Sequence, residues 1–186
     1  PYLVTNNRIC LAIGQYADNW VLQYPVIEIG YSNYLDSYNI EYLKKYPMLI
    51  LSGVRWKQQK NAEQLVLDYV EAGGKVIVDM TGFPADTMSR NPKFLGVYTE
   101  SIELKQGINI ESANGDVYLD NFGQGKSTWK CLVPQPLDGV ELSFNYMGNK
   151  APVYGYMNYK NKKISSSPGA GLCFSDQKHQ CLRHGP

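Results

Sequence analysis

Three consecutive segments constrain this chain more than anything else in it. Tyr46-Pro47-Met48-Leu49-Ile50-Leu51-Ser52-Gly53 reads as a strand, Asn61 to Ala72 as a helix, and Gly73-Gly74-Lys75-Val76-Ile77-Val78-Asp79-Met80 as a Gly-Gly stop followed by a second strand. Both apolar runs are short, unbroken and bounded by turn residues, the pattern of strands buried on both faces of a parallel sheet. Ala62, Leu65, Val66, Tyr69 and Val70 recur at helical spacing, so one helix face is apolar and lies on that sheet. A strand-helix-strand unit of this kind commits the chain to an α/β fold with a right-handed crossover.

The flanking residues extend the unit. Arg8 to Ile13 is an apolar strand ending at Gly14, and a polar loop follows in which Asp18 or Asn19 can serve as a helix N-cap. That helix is expected to run to about Ile29 and stop at Gly30, with Pro25 either kinking it or starting a second segment. Tyr34-Leu35-Asp36 is the next candidate strand, and Asn39 caps a brief helix from Ile40 to Lys45 whose basic end suits the helix dipole. Residues 1–98 therefore predict a flavodoxin-like doubly wound parallel sheet of order 2-1-3-4. Beyond Glu100 helical period is lost. Alternating stretches recur at Ile108 to Ser112, Val117 to Leu119, Thr128 to Val133, Val140 to Tyr146 and Val153 to Tyr159, with Asn114-Gly115 as a strong turn. Residues 99–164 thus form a β-rich C-terminal extension of the same domain, either continuing the sheet or packing beside it. Residues 165–186 open with Ser165-Ser166-Ser167-Pro168-Gly169 and read as an irregular or disordered tail.

Composition narrows the function classes. A net charge of +1 with 19% charged residues argues against a dedicated nucleic-acid binder. From Lys150 onward Lys150, Lys160, Lys162, Lys163, Lys178 and Arg183 face only Asp176, and this basic end reads as solvated in preference to phosphate-binding. No apolar run approaches the roughly 20 residues that cross a bilayer, so the chain as written is expected to be soluble, while its abrupt start at Pro1 leaves room for a longer parent. Four scattered cysteines give no disulfide framework, and Cys10 reads as a small core residue. Fifteen tyrosines and three tryptophans stand out. Such rings suit sugar stacking, but Trp20 and Tyr24, four apart, also suit an amphipathic packing seam.

With these segments placed, the chain resembles the non-catalytic branch of the class I glutamine amidotransferase-like superfamily. The residues that carry the likeness are Tyr46 to Gly53, the helix Asn61 to Ala72, and the stop Tyr69-Val70-Glu71-Ala72-Gly73-Gly74-Lys75-Val76, a pattern similar to that of the trimerisation domain of bacterial β-galactosidases. Tyr24-Pro25 through Asp36, Leu49 to Gly53 and Pro92-Lys93-Phe94-Leu95-Gly96-Val97 also resemble the extracytoplasmic domain of bacterial membrane proteins labelled as related to 6-pyruvoyl-tetrahydropterin synthase. The likeness spans residues 8 to 164 and implies a module at the outer face of a bacterial membrane, bound to glycan or a protein partner. Such domains close with a hairpin and a final apolar strand, where this chain reaches Lys163-Ile164 and a Ser/Pro/Gly tract, so a last strand missing or replaced, and with it an exposed sheet edge, is expected.

Amidotransferase chemistry needs a cysteine activated by a histidine that a carboxylate orients. The turn Asp79-Met80-Thr81-Gly82-Phe83-Pro84 offers only Thr81, and the histidines, His179 and His184, fall in the tail. Gly123-Gln124-Gly125-Lys126-Ser127-Thr128 lacks the spacing of a phosphate loop, and Cys173, His179, Cys181 and His184 match no common zinc finger. No catalytic residue, metal or cofactor is therefore expected. A loop surface at the carboxyl ends of the strands remains: Asp18, Asn19 and Trp20, then Arg55 and Trp56, then Asp79 and Thr81. Polar groups beside two indoles at a topological switch point suit a sugar or a peptide strand. Equally, Trp20 and Trp56 can cap the helix-sheet core and Asp79 the next turn. A hydrolase using Asp18, Asp79 or Thr81 and a structural assembly module are the alternatives to a binding function.

Overall fold

The computed structural model describes residues 9–21, 26–80, 94–105, 108–122, 128–135, 137–146, 149–160 and 162–167. Its elements are β1 (Cys10–Ile13), α1 (Ala17–Val21), β2 (Ile27–Ile29), a 3-10 turn (Leu35–Ser37), α2 (Ile40–Leu43), β3 (Met48–Ser52), α3 (Gln59–Glu71) and β4 (Lys75–Asp79). They are followed by β5 (Tyr98–Lys105), β6 (Ile108–Ser112), β7 (Val117–Phe122), β8 (Thr128–Gln135), β9 (Gly139–Tyr146), β10 (Asn149–Tyr159) and β11 (Lys162–Ser167).

Nine strands form one mixed sheet in the order β2-β1-β3-β4-β11-β10-β9-β6-β7. The first four run parallel in the expected 2-1-3-4 order, and the antiparallel part continues the same sheet. Strands β5 and β8 make a separate antiparallel ribbon, with β8 lying beside β10 and β11.

Alternation along the strands separates two apolar layers. Leu11, Ile13, Leu49, Leu51, Val76 and Val78 meet the α3 stripe of Ala62, Val66, Tyr69 and Val70 on one face. Cys10, Ala12, Ile27 and Ile50 meet Ala17 and Trp20 of α1 on the other. Helices on opposite faces are what the reversal of strand order at β1 requires, given right-handed crossovers. Burying each large side chain of the α3 stripe contributes about 1.5–3 kcal/mol. The Gly-Gly stop has two separate reasons. Gly73 adopts φ +105°, closed to most L residues, and a Cβ on Gly74 would stand 2.1 Å from the ring of Tyr69. Tyr69 in turn donates its hydroxyl to the Tyr46 carbonyl at 2.6 Å, tying α3 to the entry of β3.

Three segments differ from the sequence expectation. Ile27–Ile29 is strand β2 and not the end of a helix; α1 spans Ala17–Val21, and Tyr24 and Pro25 lie outside the described residues. Tyr34-Leu35-Asp36 is not a strand, because Leu35–Ser37 turns as a 3-10 helix and Tyr34 makes only an isolated parallel bridge to Arg55. The last strand, expected to be missing or replaced, is present as β11. Strand β11 pairs parallel with β4, Ser165, Ser166 and Ser167 opposite Ile77, Val78 and Asp79, and antiparallel with β10. The sheet therefore continues into the serine tract, and Ile164, 1% exposed, supplies the apolar residue of that strand.

Three of the basic residues of this region, Lys150, Lys160 and Lys162, make exposed polar contacts with the fold. Lys160 pairs with Glu71 at 2.8 Å and Lys162 donates to the Glu71 carbonyl at 2.9 Å, so the β10–β11 hairpin places two cations at the negative pole of α3. Lys150 pairs with Glu111 at 3.0 Å. Among the described residues no helix is long and apolar enough to cross a membrane.

Candidate functional site

Strands β2, β1, β3 and β4 are parallel, so the loops that follow them gather along one sheet edge, where ligands of open α/β sheets bind. Between β1 and β3, at the switch point, the backbone closes the crevice. Gln15 N donates to the Gly53 carbonyl and Tyr16 N to the Ser52 carbonyl, each at 3.2 Å. A Cβ on Gly14 would fall 2.1 Å from the Ser52 oxygen, and Gly53, at φ +64°, packs on the Tyr16 ring.

The upper surface is built by bracing one loop on another. Asn33 and Leu35 clasp Arg55 through Arg55 N to the Asn33 carbonyl at 2.9 Å and Leu35 N to the Arg55 carbonyl at 2.8 Å. Asp36 Oδ2 accepts from Lys57 N at 2.8 Å and Gln58 N at 2.7 Å, fixing the loop to the start of α3. Below it, Tyr38 both donates to the Ser32 carbonyl at 2.7 Å and accepts from Ser32 N at 2.8 Å. Burial pushes the Tyr38 hydroxyl up to about 12, so it stays protonated and holds the loop at any ordinary pH. The Tyr38 ring belongs to a ladder with Tyr31, Tyr42 and Tyr46, neighbouring centroids lying 4.3 to 5.8 Å apart. This accounts for much of the tyrosine cluster as packing.

Polar side chains emerge from this frame. The Arg55 guanidinium donates to Gln15 Oε1 at 2.9 Å, and the bridge sets Arg55 beside Tyr34. Lys57 Nζ stands 5.9 Å from the Tyr34 ring centroid. Tyr34 is 37% exposed and Tyr31 63% exposed. The patch thus combines an arginine, a lysine, an amide and the accessible phenol ring of Tyr34 on a hydrogen-bonded support.

Six of the seven residues singled out from sequence are described, and they fall in different surroundings. Arg55 lies in the patch. Asp18 and Asn19 are exposed on α1. Trp20 is partly buried against Cys10, Ala12 and Ile27 on the α1 face. Trp56 is partly buried on the opposite face and stacks on Phe94 at 5.1 Å and 11°. The indoles therefore belong to different layers, and the packing alternative describes both. Asp79 is 4% exposed and accepts from Ser52 Oγ at 2.7 Å, a buried pair between adjacent strand ends. Thr81, the 123–127 loop and the tail residues Cys173, His179, Cys181 and His184 lie outside the described residues. Among the described residues no group of three or more His, Cys, Asp or Glu gathers to hold a metal. Sequence reasoning missed Tyr34, Gln15 and Lys57; the signal was the unpaired basic pair Arg55-Trp56-Lys57 after an apolar strand, and its link to Tyr34 is made only by the fold.

A family model described as "Domain of unknown function (DUF8560)" matches residues 9–165. The chain belongs to this family. Its match begins just before β1 and ends within β11, so the family unit coincides with the nine-stranded sheet and the ribbon. No curated protein matches the chain in sequence. Among solved structures, a beta-galactosidase from Bacillus circulans sp. alkalophilus is similar at a TM-score of 0.51 and 15% identity, over 88% of this chain. The chain spans 29% of that protein's length. At such identity the likeness shows the fold alone.

Proposed function

We propose that this domain is a non-catalytic binding module that docks glycan on the Gln15, Tyr34, Arg55 and Lys57 surface. The observation that carries the reading is the pairing of Arg55 with accessible Tyr34 on two loops locked by backbone hydrogen bonds. Preorganised loops lose little freedom on binding, and phenol rings beside hydrogen-bond donors suit the mixed apolar and hydroxyl faces of a sugar. The family resemblance adds the setting, an amidotransferase-like pseudoenzyme carried at the extracytoplasmic face of a bacterial membrane protein. A hydrolase centred on Asp79 is less well supported, because that carboxylate is buried and engaged by Ser52.

The test is a glycan array probed with labelled domain, wild type against Tyr34→Ala and Arg55→Ala. Retention on a defined subset is expected to disappear in both variants. Each keeps a Tm within about 3 °C of wild type, as exposed substitutions do. Retention that is absent in the wild type, or unchanged in both variants, overturns the proposal.

A further inference from the structure

We infer that the saccharide taken by this surface is anionic, its negative group held between Arg55 and Lys57 beside the Tyr34 ring. The inference rests on the glycan-binding reading and adds the charge of the ligand. Three of the described lysines are matched by carboxylates. Lys44 pairs with Glu41 at 3.1 Å, Lys150 with Glu111 at 3.0 Å and Lys160 with Glu71 at 2.8 Å. Arg55 and Lys57 make no such ion pair among the described residues, as Lys45, Lys60 and Lys75 do not; what sets the two apart is their place on one braced surface at Tyr34, where the arginine donates to a neutral amide and the lysine stands over the phenol ring.

The nearby carboxylates do not fill the role. Asp36 directs Oδ2 at the Lys57 and Gln58 amides, where it serves the start of α3. Asp79 is buried below the surface on Ser52, and Asp18 projects from α1. Neither cation thus makes an ion pair on this braced surface, although the Asp36 carboxylate, its Oδ1 buried without a hydrogen-bond partner, lies beneath it. A guanidinium has five N–H donors in a planar fork; one contact to Gln15 leaves donors for a bidentate grip on a carboxylate, sulfate or phosphate. Lys57, on a flexible stem, can move from the ring to the same anion and expose more of the phenol to a sugar face. A neutral sugar would use the ring and leave both charges as they are.

The experiment is calorimetric titration of the domain with an oligogalacturonide, with its carboxyl-reduced neutral counterpart, and with a sulfated oligosaccharide of similar length. Tighter binding of a charged ligand than of the neutral one, weakened by salt and reduced about tenfold in Arg55→Gln, supports the inference. Which charged ligand wins identifies the group as carboxylate or sulfate. Arg55→Lys retains the charge without the fork and is expected to bind between the two. Equal binding of the neutral counterpart, lost in Tyr34→Ala but kept in Arg55→Gln, overturns the anionic preference and leaves the glycan reading standing. No binding of any of the three, with no retention on the array, removes both.

Discussion

Replacing Trp56 by alanine separates the two roles that its sequence position allows. The indole lies partly buried against the α3 layer and stacks on Phe94, itself 1% exposed. A tryptophan covers about 150–250 Å² and the stack adds about 0.5–1.5 kcal/mol beyond that area. With about two thirds to nine tenths of the indole covered, the loss of burial at ~25 cal/mol per Å² costs about 2.5–5.5 kcal/mol. The sum overlaps the roughly 3–5 kcal/mol typical of core tryptophan deletions. For a domain of this size that lowers Tm by about 6–20 °C. Thermal unfolding followed by far-UV circular dichroism measures it, with urea denaturation giving the free energy directly. A Tm within about 2 °C of wild type, together with lost glycan retention, would refute the packing assignment and return Trp56 to the ligand surface.

Two other predictions concern polar contacts of carboxylates, one buried and one at the surface. Ser52→Ala removes a hydroxyl, 0% exposed, that donates to the Asp79 carboxylate, so a loss of about 1.5–3 kcal/mol in chemical denaturation is expected, with glycan retention unchanged; an unaltered midpoint would contradict the pairing. The Glu111 carboxyl is held below its ordinary 4.5 by the hydrogen bond from Asn145 first and by Lys150 second. A depressed carboxyl contributes stability that is present above its unfolded value and lost as pH falls through its folded value. Acid unfolding of Glu111→Gln is therefore expected to lack part of the slope that the wild type shows below pH 4.5, and superimposable pH profiles would count against it.

The parts of the fold legible in the sequence were those decided by local pattern. β3, α3 and β4 declare themselves through unbroken apolar runs, a helical stripe and a Gly-Gly stop, and Asn39 caps α2 by accepting from Tyr42 N at 2.8 Å, as its position before Ile40 suggested. Strand β2 is three residues long, too short to show a period, and its Ile27-Glu28-Ile29 merged with the helix expected before it. β11 has a single described buried side chain, Ile164; its place is set by pairing with β4, some ninety positions away, and not by propensity. Strand β5 was likewise fixed by a distant partner, β8. The same limit governs the site. Arg55 was readable as a polar residue after a strand, but the bridge to Tyr34 joins two loops that no spacing rule connects. Trp20 and Trp56 both follow strands, but α1 lies on one face of the sheet and α3 on the other because the strand order reverses at β1, and each indole goes to its own layer.

Chemical-shift mapping puts the central claim to its most direct test. Titrating the isotopically labelled domain with the oligogalacturonide is expected to shift the amide signals of Gln15, Tyr34, Arg55, Lys57 and Gln58 together, in one saturable process. Shifts confined to α1 around Trp20, or none at millimolar ligand, would contradict the assignment of the binding surface to the loops above β1 and β3.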